Sequence, residues 1–406
     1  MRNLSNLTMI MLCGLVIFAT ACTNTPTSTV QTDAPQENDA NLQYALGELY
    51  YFGQDVPQDY AKAFKLYQKA ANQGHAEALY SLGTMYEQGE HVLKDEIQAA
   101  YYYQKAAEKN HAIAQFDLAT RYEDGNGVTK DDVQAVYWYR QAAEQGNKEA
   151  QASLGLAYFS GQGISKDLSQ AIGWFQKAAT QNEIASQYIL GNLYFLGEGV
   201  PKDYRRSFYW YEKAAEQGLA DAQYEVGGLY YFGNGVMQDY TKAAQWYQRA
   251  ADQNFADAQH TLGLLYEHGL GVPQNESQAV YWYQKAANQN HLEAQTSLGL
   301  AYFSGQGVEL DYNQAAHWLH KAAGKGDAKA QAVLGILYTF GEGVPKNYKT
   351  AYMWISLANA QGDLEVKEAE ELGEIVTTLE QEMSRSDIIE AQDRAQRCLA
   401  SDYQNC

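Results

Sequence analysis

The sequence repeats with a fixed step of 36 residues, and this period constrains the possible folds more than any other feature. One slot of the repeat holds a glycine in eight copies and an alanine in the other. Its occupants are Gly47, Gly83, Ala119, Gly155, Gly191, Gly227, Gly263, Gly299 and Gly335. Nine units without an insertion cover residues 42–365. A period of about 20–50 residues is typical of units that pack on their neighbours, so we expect one continuous array instead of separate globular domains.

Each unit carries the pattern of two helices joined by a tight turn. In the unit that begins near Asn147, this asparagine is a suitable N-cap, and apolar residues follow at helical spacing. Gly161 is placed to end the first helix in the left-handed conformation. Asp167 is placed to cap a second helix, which ends near Asn182. The same pattern recurs in the other units and predicts an all-α fold.

The repeated glycine lies in the middle of the first helix, where it costs about 1 kcal/mol relative to alanine. Eight glycines and one alanine in one slot indicate that a large side chain does not fit there. We therefore predict a close approach of the two helices of a unit. The alanine pair of the second helix, such as Ala142-Ala143, is the expected neighbour of the glycine.

Two runs within the unit carry a family resemblance. Residues 222–236 follow the pattern Ala-x-x-x-Val-Gly-x-x-Tyr-x-x-Gly-x-Gly-Val, and residues 243–251 follow Ala-x-x-Trp-Tyr-x-Arg-Ala-Ala. The chain resembles the Sel1-like repeat family, which is related to the tetratricopeptide repeat. This resemblance implies a right-handed α-α superhelix, or solenoid, of nine helix–turn–helix repeats. It also implies that the first helices line a concave groove.

The N-terminus resembles the targeting segment of a bacterial lipoprotein. Residues 1–21 contain Arg2, a short apolar stretch and small residues that lead to Cys22. The resemblance implies removal of the signal peptide, lipidation of Cys22 and anchoring in the Gram-negative envelope, on the periplasmic side of the outer membrane. Ala19 departs from the usual leucine, and ordinary cleavage without lipidation is the alternative. Residues 22–41 are rich in Thr, Pro, Gln and Asn and predict a flexible tether.

Residues 366–406 leave the repeat frame and predict capping helices and a tail. The run Ser384-Arg385-Ser386-Asp387 resembles a capping box that starts the last helix. In an oxidising periplasm we expect a disulfide between Cys398 and Cys406, with two free thiols as the alternative. Since a continuous helix would hold their Cα atoms about 12 Å apart, the helix must end near Ala400 and the tail must turn back.

Composition limits the classes of partner. A formal net charge of −20 argues against nucleic acid and favours a protein with basic patches. No apolar run reaches the roughly 20 residues of a membrane-spanning helix. The seven tryptophans, from Trp138 to Trp354, share one slot of the second helix, which favours packing between units over stacking on sugars.

The sequence carries no motif for catalysis or for a cofactor. It has no nucleophile elbow, phosphate-binding loop or zinc-protease motif, so we expect neither enzyme activity nor a cofactor. His317 and His320 are three residues apart on a helix, but no third ligand accompanies them and we expect no metal site. Some disulfide-rich Sel1-like proteins are described as β-lactamases, but their paired cysteines are missing from the repeats of this chain.

The candidate binding site is a face of the first helices whose residues vary while the packing residues hold. This face consists of the positions three residues before, one residue after and four residues after the repeated glycine. The candidate residues are Tyr44, Tyr51, Tyr80, Glu87, Phe116, Glu123, Phe159, Tyr188, Phe195, Tyr224, Tyr231, His260, Glu267 and Phe303. Aromatic side chains beside acidic ones are typical of protein-binding surfaces. The alternative for each residue is that it only packs against the next unit.

These observations predict a lipid-anchored scaffold or adaptor of the cell envelope that binds a protein partner along the groove. The first alternative is binding of peptidoglycan or another envelope polysaccharide, with tyrosines stacked on sugar rings. A β-lactamase-like hydrolase is the second alternative, and the chain lacks the serine–lysine motif that it would need.

Overall fold

The computed structural model of the chain describes residues 39–361, 366–401 and 403. This part of the chain contains twenty α-helices and no strand. The chain divides into two compact units, Met1–Lys109 and Asn110–Cys406. The predicted signal peptide, Cys22, most of the tether and Cys406 lie outside the described residues.

The first unit contains two helix pairs. They are α1 (Ala40–Phe52) with α2 (Tyr60–Asn72), and α3 (Ala76–Gln88) with α4 (Glu96–Glu108). The two helices of each pair pack along each other, and α2 also packs on α3. One apolar cluster joins them, with Phe64, Tyr67, Leu82 and Met85 buried in it.

The second unit continues with seven further pairs and two terminal helices. The pairs are α5 (Ala112–Asp124) with α6 (Asp132–Glu144), α7 (Lys148–Ser160) with α8 (Leu168–Thr180), α9 (Ile184–Leu196) with α10 (Tyr204–Glu216), α11 (Ala220–Phe232) with α12 (Tyr240–Asp252), α13 (Ala256–His268) with α14 (Glu276–Asn288), α15 (Leu292–Ser304) with α16 (Tyr312–Ala323), and α17 (Ala328–Phe340) with α18 (Tyr348–Gln361). Helices α19 (Val366–Glu382) and α20 (Arg385–Ala400) follow. Within this unit, consecutive helices of the repeats pack on each other, which confirms the predicted all-α solenoid of helix pairs.

The predicted caps are confirmed. Gly161 ends α7 with φ of 83°, and Asp167 accepts a hydrogen bond from the backbone N–H of Gln170 at the start of α8. His75, His111 and His291 cap first helices by accepting backbone hydrogen bonds through Nδ1. These histidines therefore serve in the helix caps, as Asn147 does in its own repeat.

The repeated glycine does face a close neighbour, but the expected neighbour was wrong. A Cβ on Gly227 would lie 2.8 Å from the ring of Tyr247, and the other repeated glycines face the same slot of their own second helix. That slot holds Tyr, Phe, Leu or Ile. An aromatic or aliphatic side chain fills the space beside the glycine, while the alanine pair packs one turn further along the second helix.

In most repeats of the second unit, a buried glutamine joins the first helix to two second helices. In the repeat of α13, Gln259 Nε2 donates to the carbonyl of Ala251 on the preceding α12, at 3.1 Å. Gln259 Oε1 accepts from Gln289 Nε2, at the end of α14 in its own repeat, at 2.7 Å. This network was not predicted from the sequence, although glutamine stands four residues before the repeated glycine or alanine in eight of the nine units.

The tryptophans lie within or against apolar clusters, which supports packing as their role. Trp282, Trp318 and Trp354 are almost completely buried. Apart from sequence neighbours, their partners come from adjoining helices, so these side chains fill the space between consecutive repeats.

The last helices cover the end of the array. Ala395 and Cys398 of α20 are buried against Trp354 and Leu357 of α18.

Ser384 caps α20 by accepting from the N–H of Asp387, but the Asp387 carboxylate accepts from the Ser384 hydroxyl, so the capping box is only half formed. As predicted, α20 ends at Ala400, and the chain turns back so that Tyr403 N–H donates to the Cys398 carbonyl. Because Cys406 is not described, the disulfide stays a prediction.

None of the described helices has the length and apolar character that crossing a membrane requires.

Candidate protein-binding surface

The fourteen candidate residues, which we call the first-helix face, share one environment. Each of them is half-buried, so each side chain has a packed side and a side open to solvent. Four belong to the first unit and ten to the second. The same residues therefore pack and remain accessible, and binding of a partner by this face stays a prediction.

The aromatic residues three positions before the repeated glycine pack against an aromatic ring on the second helix of the same repeat. Tyr80 lies 5.3 Å from Tyr103 between ring centroids, and Tyr188 lies 5.6 Å from Tyr211. The corresponding pairs in other repeats are Tyr44 with Tyr67, Phe116 with Tyr139, Tyr224 with Tyr247, and His260 with Tyr283. These second-helix tyrosines were not predicted as part of the site, although they recur at one position of the repeat.

Aromatic residues four after the glycine contact the start of the second helix. The ring of Tyr231 lies 5.1 Å from that of Tyr240, and Phe195 lies 5.3 Å from Tyr204. Tyr51 and Phe303 contact Tyr60 and Tyr312 in the same way. Phe159 instead has the Lys166 ammonium 5.4 Å from its ring centroid.

The glutamates of the face accept hydrogen bonds from the second-helix tyrosines. Tyr103 donates to Glu87 at 2.6 Å and Tyr139 donates to Glu123 at 2.5 Å, while Tyr283 donates to Glu267. Burial and this bond to a carboxylate raise the pKa of Tyr103 far above its usual range. The hydroxyl therefore stays protonated and holds the carboxylate in place with one fixed bond.

One further acid near the face was not predicted. Glu225 lies two residues before Gly227, and burial, together with the nearby Asp221, raises the pKa of its carboxyl. It lies close enough to the rings of Tyr211 and Tyr247 to raise their pKa values. The sequence did not indicate that Glu225 is partly buried, because an acid at this position resembles any solvated residue of a helix.

His260 differs from the other members because it is a neutral base. Burial and the neighbouring His291 lower the pKa of His260 to about 4. Its ring lies 5.0 Å from that of His291, and Nε2 is 3.3 Å from the Ser297 hydroxyl. At neutral pH this residue adds an aromatic ring without a positive charge.

Metal chemistry gains no support from the described part of the chain, which contains no group of three His, Cys, Asp or Glu able to hold an ion. His320 Nε2 lies 3.1 Å from the Tyr338 hydroxyl, and the His317 ring packs edge-on against Trp318. Burial lowers the pKa of His320. The rings and carboxylates of the first-helix face suit recognition by aromatic contact and negative charge.

Comparison with known proteins agrees with this repeat architecture. The family model described as the Sel1 repeat matches residues 40–75, 76–111, 112–147, 148–183, 184–219, 220–255, 256–291, 292–327 and 328–363. None of the curated proteins searched matches the chain.

Two solved structures match most of the chain. A protective antigen of uropathogenic Escherichia coli with an SLR fold is 33% identical, with 89% of this chain and 91% of that one covered at a TM-score of 0.52. A Sel1 repeat protein of Oxalobacter formigenes is 28% identical, with 87% and 97% covered at a TM-score of 0.59. With nine matched repeats and these structural relatives, the chain belongs to the Sel1 repeat family, whose solenoids are scaffolds for protein–protein interaction.

Proposed function

We propose that this protein is a lipid-anchored scaffold of the bacterial cell envelope that binds a protein partner along the first-helix face. The observation that carries the proposal is the composition and exposure of that face. Its fourteen residues are half-buried rings and carboxylates, and none of them is a lysine or an arginine. Such a surface offers flat apolar contact and attracts positive charge, which suits a partner with basic patches.

Site-specific crosslinking in cells tests the partner. A photoreactive residue in place of Tyr188 or Tyr231 is expected to capture one protein, identified by mass spectrometry. The same residue in place of Gln245, which is exposed on the second helix α12, is the matched control. Equal capture from Gln245 and from the first-helix face would contradict the proposed surface. Because charge drives part of the binding, capture should also fall as salt rises.

The envelope location has its own test. The proposal rests on the resemblance of residues 1–22 to a lipoprotein signal, and the E. coli relative is named a protective antigen, which fits such a location. Cys22→Ala is expected to release the protein from the membrane fraction or to leave it unprocessed. Cys13→Ala, within the predicted signal, is the control. Unchanged fractionation of Cys22→Ala would refute the anchor.

Glycan binding is a second candidate, and one observation favours it. Tyr101, Tyr137, Tyr209 and Tyr281 share one second-helix slot, are each about half exposed, and pack edge-on against the next aromatic residue. Such rings are accessible for stacking on sugars. Sedimentation with purified peptidoglycan, lost in a variant with these tyrosines changed to alanine, would favour this candidate. A pure protein scaffold stays in the supernatant.

A further inference from the structure

Two small cavities in the second unit are copies of one another. One, of about 110 Å³, is bounded by α5, α6 and α7, and the other, of about 90 Å³, by α13, α14 and α15. Every lining residue of the second cavity lies 144 residues after a lining residue of the first, which is four repeats. Residues 153–163 and 297–307 along one side of the cavities have identical sequences.

A single small side chain explains why the cavities occur at these two repeats. The slot two residues after the repeated glycine holds Ala157 and Ala301, and both line the cavities. In the other repeats this slot holds a larger residue. These residues are Leu49, Met85, Arg121, Leu193, Leu229, Leu265 and Leu337. Leu229, Leu265 and Leu337 are almost completely buried, so a leucine here fills the space that alanine leaves open.

The lining suits a side chain with an apolar stem and a positive head. In the first cavity, Val136 and Leu156 supply apolar surface, while Glu123 and Asp132 supply carboxylates. In the second, Val280 and Leu300 pair with Glu267 and Glu276 in the same positions. Neither lining includes a lysine or an arginine.

The carboxylates have few competing cations. Asp132 accepts from Gln162 Nε2 at 3.1 Å and lies 3.7 Å from Lys130 Nζ. Glu123 and Glu267 are held by the hydroxyls of Tyr139 and Tyr283, which are neutral donors. Within the described ranges, Glu276 takes part in no ion pair, so the second cavity retains two carboxylates without a cation.

The part of the sequence that the structure does not describe supplies almost no basic side chain for these cavities. Outside the described residues, Arg2 is the one basic residue in the sequence, and it belongs to the predicted signal peptide. A basic side chain of another protein is therefore the occupant that the charge and shape favour.

We propose that each cavity binds one lysine or arginine side chain of the protein partner, so that the partner is held at two points four repeats apart. This inference rests on the proposed function and names the chemistry by which that partner is recognised. Two linked sites bind more tightly than either alone when the partner spans them. The apolar stem would lie against the valine and leucine, and the charged head would meet the carboxylates.

The test fills the cavities without changing the net charge. Calorimetric titration of the full protein with a short oligolysine peptide is compared between wild type and the double variant Ala157→Leu, Ala301→Leu. We expect binding to weaken about tenfold in the double variant. Ala185→Leu, an exposed alanine of the first helix α9, is the matched control and should bind like wild type. Equal affinity of the filled double variant and wild type would overturn the inference.

If the double variant Ala157→Leu, Ala301→Leu does not fold, a second pair of double variants tests the inference. Glu123→Gln with Glu267→Gln keeps the acceptors for both tyrosines and removes two charges from the cavities. Glu144→Gln with Glu374→Gln removes two charges from exposed helix positions. The inference requires a larger loss of oligolysine affinity in the first pair, and an equal loss in both pairs would overturn it.

The crosslinking experiment separates this inference from the proposed function. If the partner is captured at Tyr188 as efficiently in the filled variant, and oligolysine binding is also unchanged, the inference fails and the function stands. If no partner is captured while cavity filling abolishes oligolysine binding, the cavities stand as sites for basic side chains and the proposed function fails.

Discussion

At the scale of single residues, Gly227 and Gly228 show how a repeat separates packing positions from variable ones. A Cβ on Gly227 would meet the Tyr247 ring at 2.8 Å, which requires the ring to move, whereas one on Gly228 would meet the Tyr247 hydroxyl at 3.7 Å, an ordinary contact. The sequence indicated that a large side chain does not fit in the first slot. It did not indicate the ring, because Tyr247 belongs to the next helix and is brought there by tertiary packing.

These adjacent glycines give a matched pair of variants. Gly227→Leu should lower the free energy of unfolding by at least about 2 kcal/mol, because the side chain overlaps the Tyr247 ring. Gly228→Leu should be neutral or raise it by up to about 1 kcal/mol, since leucine is a better helix former than glycine. Leucine already occupies this slot in Leu156, Leu264 and Leu300. Urea unfolding measures both, and equal stability of the two variants would contradict the packing argument.

Glu225 predicts a pH dependence of stability. Its folded-state pKa is raised above the ordinary 4.5 by burial and Asp221, so ionisation at higher pH costs the folded state stability. Below the ordinary pKa both states are protonated and the penalty is absent. Glu225→Gln should therefore stabilise the protein at about pH 8 and have little effect at about pH 4. Glu144→Gln, at an exposed position, is the control for charge, and an identical pH profile of the two variants in urea unfolding would refute the effect.

At the scale of helices, each cap depends on residues close together in the chain, whereas the connections between helices depend on residues from different helices. Asp167 lies next to the backbone groups that it caps, so the signal is contained in a few consecutive residues. Gln259 instead bonds to Ala251 and Gln289, which lie on the helices before and after it. Such a side chain satisfies backbone and amide groups that helix ends leave open, and it fixes how neighbouring pairs meet.

Removing one of these glutamines should destabilise the array. Gln259→Met leaves the Ala251 carbonyl and the Gln289 amide without this partner, and we expect a loss of about 1–3 kcal/mol. Gln245→Met, on the exposed side of α12, should change the stability little. Thermal unfolding followed by circular dichroism compares the two, and equal midpoints would show that the buried glutamine is dispensable.

At the scale of the whole molecule, repeats stabilise one another through neighbours, so an end needs a different surface. In the second unit, α20 covers the last repeat with Ala391, Ala395 and Cys398, while its exposed residues face solvent. The sequence predicted this role because the helical spacing continues after the repeat frame stops. Which residues of α18 would be covered was decided by tertiary packing.

A charge in this contact should open the end of the array. Ala395→Asp buries an unpaired carboxylate against α18, and we expect α20 to detach. Hydrogen exchange should then accelerate in the amides of α18 and remain unchanged in α11, several repeats away. Gln396→Asp, at the adjacent exposed position, should leave exchange in α18 as it is. Unchanged exchange in the Ala395→Asp variant would show that α20 does not protect the last repeat.

The repeat length, the two helices of each unit, their caps and the terminal helices can all be predicted from the sequence alone. These features depend on residues close together in the chain, and nine copies of one pattern make them visible. Three features became visible only in the folded chain: the side chain beside the repeated glycine, the way the buried glutamines connect three helices, and the cavities beside Ala157 and Ala301. Those features depend on side chains that meet only after packing, as Gly227 and Tyr247 do across 20 residues. A pattern within one helix does not specify such a meeting.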